Sequence, residues 1–324
     1  MKNFLEKILP NDHKKRKWIS VAITIVISGV LTALGIYGIG EYGIALFILT
    51  PLFLGACSTM LYGFKKEISQ KEAWKISSLT LSIFMGILFL CAMEGLICIA
   101  MATPFVLLFT WLGTVIGHTL ITKAPDNTPI SLFILISIIP SMSFIEKEFA
   151  PTLSSVTTSI EINADPNRVW KNIVEFPQLD EPNEFIFKTG IAYPINASIE
   201  GTGVGAIRHC NFSTGSFVEP ITIWDEPNLL KFDVLQQPTP MKELSIWDIN
   251  APHLHDYFVS KQGQFKLTQL ANGNTLVEGT TWYYNDIKPA FYWQIWSDPI
   301  IHKIHNRVLE HIKINSELEI EHKI

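Results

Sequence analysis

Two side chains in the second half of this chain have the types and spacing for acid–base work. Glu219 precedes Pro220 and, in an extended segment, shares a face with Phe217, Ile221 and Ile223. A carboxylate among apolar neighbours holds its proton to higher pH and could serve as a general acid. The alternatives are that this face is solvated or that Arg208 pairs with the carboxylate. His209 is the second catalytic candidate. It adjoins Cys210, and neighbouring strand residues point to opposite faces, so the two cannot form a dyad from one strand. Cys210 has no plausible disulfide partner, because Cys57, Cys91 and Cys98 lie in a half of different character.

Other polar clusters carry weaker chemistry. His253 and His255 share a face if their loop is extended, and His302 and His305 are three apart on a helix. With His209 they suggest a metal, but no Cys/His or His-Glu-x-x-His spacing is present, and we expect no metal and no cofactor. Asp248, His253, His255 and Asp256 could form an acid–base set in a polar loop. Gly201, Gly203 and Gly205 lack dinucleotide and phosphate-loop spacing and read as hairpin glycines. No Gly-x-Ser-x-Gly nucleophile elbow occurs. In the first half, Glu94, Cys98 and Met101 fall at i, i+4 and i+7 and would share a helix face. A carboxylate in a membrane segment is costly and is a functional candidate by default. Glu94, however, reads as part of a turn near water.

The elements that position these residues divide the chain in two. Of its 324 residues 48% are apolar and only 17% charged, and mean hydropathy is +0.26. That excludes disorder and an ordinary soluble protein. A net charge of −5 gives no reason to expect nucleic acid. Residues 1–150 carry a net +3 and residues 151–324 a net −8. A bilayer core about 30 Å thick needs about 20 apolar residues. Five stretches are candidates: 18–37, 44–62, 76–93, 96–121 and 130–145, preceded by a basic tail over 1–17. The fifth is short and contains Pro140, which a membrane helix tolerates. The apolar run after the tail is too long for a cleavable signal peptide. Lys and Arg concentrate in the tail, in the loop after span two (Lys65, Lys66, Lys71, Lys75) and after span four (Lys123). That distribution puts the N-terminus in the cytoplasm and, if the fifth segment crosses, the C-terminal half outside the plasma (inner) membrane.

The second half reads as α+β. A strand at 153–162 precedes Asp165-Pro166, a helix cap and first turn, with Val169, Trp170 and Ile173 at helical spacing. Residues 204–212 alternate, with Val204, Ala206, Arg208, Cys210 and Phe212 on one face and Ile207 and His209 on the other. Further strands follow, with an Asn-Gly hairpin at Asn272-Gly273. Asp298-Pro299 predicts the start of a long amphipathic helix carrying Ile301, Ile304, Val308 and Ile312.

This order, with the opening Ile160-Glu-Ile-Asn-Ala-Asp-Pro-Asn-Arg-Val-Trp170, resembles the START-like (SRPBCC) superfamily, most closely its polyketide cyclase/dehydrase-type members. The resemblance covers about 153–316, leaving 317–324 as a tail. The apolar stretches give an α-helical transmembrane bundle; for the half that follows, the resemblance implies a helix-grip domain, a curved antiparallel sheet around a long C-terminal helix that encloses an apolar cavity. Candidates for lining that cavity are Trp170, Phe217, Trp282, Tyr284, Trp293, Trp296 and His305. The cluster Phe291, Tyr292, Trp293 and Trp296 suits either a cavity mouth or a membrane interface. Three functions follow: a membrane-tethered module binding a hydrophobic, lipid- or polyketide-like molecule; a cyclase/dehydrase-type enzyme using the same cavity; or a docking or sensory protein.

Overall fold

The computed structural model describes residues 2–321; residue 1 and positions 322–324 of the expected tail lie outside the described residues. The chain forms two compact units. The first holds the residues up to 150 together with 245–252 and 287–289, and the second holds the remainder.

The first unit is helical. A short α1 (Lys2–Ile8) precedes α2 (His13–Ala33), which continues through a π-helical stretch, Leu34–Ile39. A second such stretch, Ala45–Leu49, leads into α3 (Thr50–Gly63). Then come α4 (Gln70–Leu90), α5 (Leu96–Lys123) and α6 (Thr128–Glu146). Five helical segments are long and apolar enough to cross a membrane: His13–Ile39, Ala45–Gly63, Gln70–Leu90, Leu96–Lys123 and Pro125–Glu146. Helices suit lipid because they satisfy every backbone N–H and C=O internally.

Their starts differ from the sequence expectation for local reasons. Asp12 accepts a bond from Lys15 N at 2.7 Å, so helix begins inside the expected basic tail. A capping box of Ser69 and Glu72 starts α4 at Gln70 rather than 76, and Cys91–Glu94 form a turn. Pro140 sits within α6 without ending it.

The helix α3 is the core of this unit. Phe53, Leu54, Ala56, Cys57, Met60 and Leu61 on it are all buried. Its backbone meets that of α5 because both present glycine. A Cβ on Gly113 would strike the Leu52 carbonyl, one on Gly117 would lie 2.8 Å from the Ala56 carbonyl, and one on Gly55 would strike the Thr110 carbonyl. Small residues at such crossings replace the hydrophobic drive that lipid removes. Ser77 and Thr114 add a hydrogen bond of 2.6 Å between α4 and α5.

Polar contacts define the two ends of the bundle. At one end, Arg16 Nη1 donates to Phe64 O (2.9 Å) and His118 Nε2 lies 2.8 Å from Ile68 O. The start of α2, the α3–α4 loop and the last turns of α5 therefore share this end. At the other end, the Glu146 carboxylate accepts from Ile44 N (2.5 Å) and Ala45 N (3.2 Å), between the first two spans. Gly43 leaves room for it: a Cβ there would lie 2.7 Å from the carboxylate carbon. Thus α6 begins after the last turn of α5 and finishes beside the opposite end.

The second unit is a seven-stranded antiparallel sheet in the order β1-β7-β6-β5-β4-β3-β2. The strands are β1 (Leu153–Ile162), β2 (Pro194–Glu200), β3 (Ile207–Phe212), β4 (Gly215–Asp225), β5 (Leu229–Asp233), β6 (Phe258–Gln269) and β7 (Thr275–Asn285). Two helices, α7 (Pro166–Val174) and the four-residue α8 (Phe185–Lys188), separate β1 from β2. The long α9 (Ala290–Glu321) packs on β1 and β7, giving the helix-grip arrangement. As expected, Asp165 caps α7, accepting from Asn167 N and Arg168 N.

Three boundaries differ from the expectation. Strand β3 starts at Ile207 rather than 204, because Gly201, Gly203 and Gly205 all take positive φ and form a turn that leaves Val204 exposed. A register shift between Ile221 and Ile223 turns Ile223 outward and lets Trp224 pack on the core. The last helix begins at Ala290, with Pro299 inside it. Asp298, instead of capping, accepts a hydrogen bond from Tyr283 Oη, and Tyr292 and Trp293 in the added turns are buried.

Candidate functional site

The inward side of the sheet carries a continuous core that includes Ile162, Val169, Trp170, Phe232, Val277 and Leu309. Into it the β3–β4 ladder places a charged pair. Arg208 and Glu219 stand directly opposite in the register, so their side chains leave the sheet on the same face. Both are buried, and Arg208 Nη1 donates to the Glu219 carboxylate. Arg208 Nε donates to Val174 O at the end of α7 (3.2 Å), and Cys210 is hydrogen-bonded to the same guanidinium. Three rings enclose that guanidinium: Phe232 at 5.3 Å, Phe176 at 5.7 Å and Phe265 at 5.8 Å. A guanidinium over aromatic faces gains cation–π attraction, more so where water is excluded.

Burial governs the acid–base character of this cluster. It pushes the Glu219 carboxyl above the usual carboxylate range, against the pull of Arg208. It pushes the Cys210 thiol up to about 12, so this sulfur is a protonated packing group and not a nucleophile. Burial also opposes the charge on Arg208, but Glu219 more than restores it and the guanidinium stays protonated. Among the described residues its N–H groups meet Val174 O, Glu219 and Cys210.

A second polar cluster lies in the seam under α9. Thr158 Oγ1 on β1 is 2.7 Å from His302 Nδ1 and 3.0 Å from His305 Nδ1. His305 Nε2 is 2.8 Å from Thr281 Oγ1 on β7. Burial, with His302 beside it, lowers His305 to about 4, so its imidazole is neutral at ordinary pH. Both threonine hydroxyls are thus spent on holding α9 to the sheet.

The structure separates several residues that the sequence grouped. His209 leaves the face opposite to Arg208 and Glu219 and lies 3.9 Å from Glu200 on β2, so the two catalytic candidates do not meet. Trp282 and Tyr284 take the outer face of β7, covered by Lys231 (5.0 Å) and Lys261 (5.2 Å), while Thr281 and Tyr283 face inward. Trp170 is buried edge-on against Trp224 (5.5 Å), and Phe217 packs on the core beside Phe212 (4.9 Å). Trp293 is buried against Tyr292; Trp296 is half-buried, and its Nε1 is shielded with no hydrogen-bond partner among the described residues.

The loop between β5 and β6 turns through a short 3₁₀ segment, Pro252–Leu254, rather than extending. His253 is therefore buried, 3.8 Å from Glu243, whereas His255, Asp256 and Asp248 are exposed. Glu94 lies in the turn before α5, Cys98 is half-buried in that helix's first turns and Met101 is buried one turn on. The residue that sequence reasoning underweighted is Arg208. Its alternation with Ala206, Cys210 and Phe212 already put a charge on an apolar face.

No family model and no curated protein matches the chain. Solved structures similar to it cover about half of it. A norcoclaurine synthase point mutant from Thalictrum flavum, in complex with a transition-state analogue, is 14% identical over 55% of this chain and 100% of its own, with a TM-score of 0.36. The Zhui aromatase/cyclase from Streptomyces sp. R1128 is 9% identical over 52% and 96%, with a TM-score of 0.35. XoxI from Bacillus cereus is 16% identical over 52% and 98%, with a TM-score of 0.34.

Proposed function

We propose that this is a multi-pass membrane protein whose C-terminal unit binds a hydrophobic, lipid- or polyketide-like small molecule beside the membrane. The observation that carries this reading is the buried guanidinium of Arg208, enclosed by three phenylalanine rings on the inward face of the sheet. Apolar surroundings with a few convergent polar groups are the usual make-up of a small-molecule site. The rings would take the apolar body of the ligand, at about 0.8 kcal/mol per buried CH₂. Arg208 would fix one carbonyl or phenolate oxygen. His209 and Glu219 leave the sheet on opposite faces, which favours binding over a reaction that uses them as an acid–base pair.

The side of the membrane follows from two supports. Lys and Arg fall in the tail and in the loops at one end of the bundle, which reads as cytoplasmic. The end of α6 lies with the opposite end, at Ile44 and Ala45. A crossing α6 delivers the C-terminal unit to the extracytoplasmic side of the plasma (inner) membrane.

The test is native mass spectrometry of the full chain, released from nanodiscs after incubation with a total lipid extract. One apolar species of defined mass, retained after annular lipid is stripped, is the expected result. It should be lost when Arg208→Met is combined with Glu219→Leu. A chain that stays bare, or equal retention by the variant, contradicts the proposal.

A further inference from the structure

The outward face of α9 changes character along its length. Its first turns expose Phe291 (65%) and Ile295 (61%), with Pro299 following on the same side. The next outward positions are Lys303, Asn306 and Glu310, all polar and exposed. A second exposed apolar pair, Ile314 and Leu318, comes only near the far end of the helix. Exposure alone does not distinguish these two pairs; their distance along the chain from the spans does.

The residues beside this patch extend it. Gln294 Nε2 donates to Ser154 Oγ at 2.8 Å, which brings the first turns of α9 against the start of β1. Leu153, the first residue of that strand, is 58% exposed. One edge of the second unit thus carries Leu153, Phe291 and Ile295.

The covalent chain limits how far that edge can be from the bilayer. The last span ends at Glu146 and β1 begins at Leu153. At about 3.6 Å per residue those seven steps reach at most about 25 Å. Residues 287–289 fold with the helical unit, where Lys288 N donates to Tyr42 O (2.8 Å) and Lys288 Nζ to Glu146 O (2.9 Å). Both acceptors belong to the end of the spans opposite the basic loops. Phe291 follows Lys288 by three residues, or about 11 Å of chain at full stretch.

We infer that the edge formed by Leu153, Phe291 and Ile295 docks on the lipid interface of the membrane that the chain spans, with Phe291 and Ile295 entering the headgroup–acyl boundary. Apolar side chains on a polar-flanked helix gain from this shallow burial. The partner is lipid, not a second copy or another protein, because the chain keeps Phe291 within about 11 Å of Lys288, while the polar stretch from Lys303 to Glu310 lies farther along the helix.

The experiment uses the full chain in vesicles of phosphatidylethanolamine and phosphatidylglycerol. The background carries Cys91→Ser and Cys98→Ser; Cys57 and Cys210 are buried. Nitroxide labels are placed singly at Phe291→Cys, Ile295→Cys, Ile314→Cys and Leu318→Cys, and each is read by power saturation. Oxygen, which partitions into lipid, should relax labels at 291 and 295 more than a water-soluble nickel chelate does. The order should reverse at 314 and 318. Nickel-dominated relaxation at all four positions overturns the inference. Exclusion of both relaxers at 291 and 295 also overturns it, because a protein then covers the patch. Positions 291 and 295 are read independently, so a misfolding variant at one leaves the other decisive.

Discussion

At the scale of single residues, the buried Arg208–Glu219 pair is the feature with the sharpest consequences. Removing one member leaves an uncompensated charge in the core, whereas removing both does not. Arg208→Met alone should destabilise the second unit by about 3–5 kcal/mol. Adding Glu219→Leu should recover most of that loss, as read by tryptophan-monitored melting of the full chain. Additive losses would mean that the two side chains are not coupled. His305 gives a pH dependence of known sign. Its folded value of about 4 lies below the ordinary 6.5, so the fold favours the neutral ring. That contribution is complete above pH 6.5, declines as pH falls toward 4, and amounts to at most about 3 kcal/mol. His305→Gln should flatten the melting temperature between pH 6.5 and 4.5 relative to the parent chain; an unchanged slope would show that other groups set it. Alternation in the sequence separated the two faces of β3. It did not say which face of β7 is inward. Aromatic content suggested Trp282 and Tyr284, yet the stems and ammonium groups of Lys231 and Lys261 cover those rings on the outside. Thr281 and Tyr283, at the alternate positions, face the helix.

At the scale of elements, the sequence was most legible where one local signal decides. The apolar stretches marked five helices long and apolar enough to cross a membrane, Asp165-Pro166 marked α7, and Asn272-Gly273 marked the β6–β7 hairpin. It was least legible where packing overrides a local signal. Asp298-Pro299 has the form of a helix start, but Tyr283 claims the Asp298 side chain and buried Tyr292 and Trp293 carry the helix eight residues earlier. The glycines of α3 and α5 also passed unnoticed, since their meaning depends on which helix lies opposite. Gly113→Val should disrupt the α3–α5 crossing, because its side chain meets the Leu52 carbonyl and the helix backbone cannot yield cheaply. The expected result is loss of monodisperse protein on size-exclusion chromatography. Gly86→Val, with open space around its Cβ, should behave like the parent chain. Equal behaviour of the two variants would remove close backbone approach as the basis of this crossing.

At the scale of the whole molecule, the question left open by the sequence was whether the fifth apolar segment crosses. Its length and Pro140 left that undecided. The capture of Ile44 N and Ala45 N by Glu146 ties its end to the bundle end opposite Arg16 and His118. Tags at the two termini of the chain should therefore be digested from opposite sides of sealed, oriented membrane vesicles. Digestion of both tags from the same side would place α6 in the interface instead. The most direct test of ligand binding is photocrosslinking from inside the sheet. With p-benzoylphenylalanine at Phe217, which packs on the core, irradiation of the full chain in native membranes should attach a small apolar molecule to β4. The same reporter at Trp282, on the outer face, should attach none. No adduct at 217, or the same adduct at both positions, would contradict a ligand held on the inward face of the sheet.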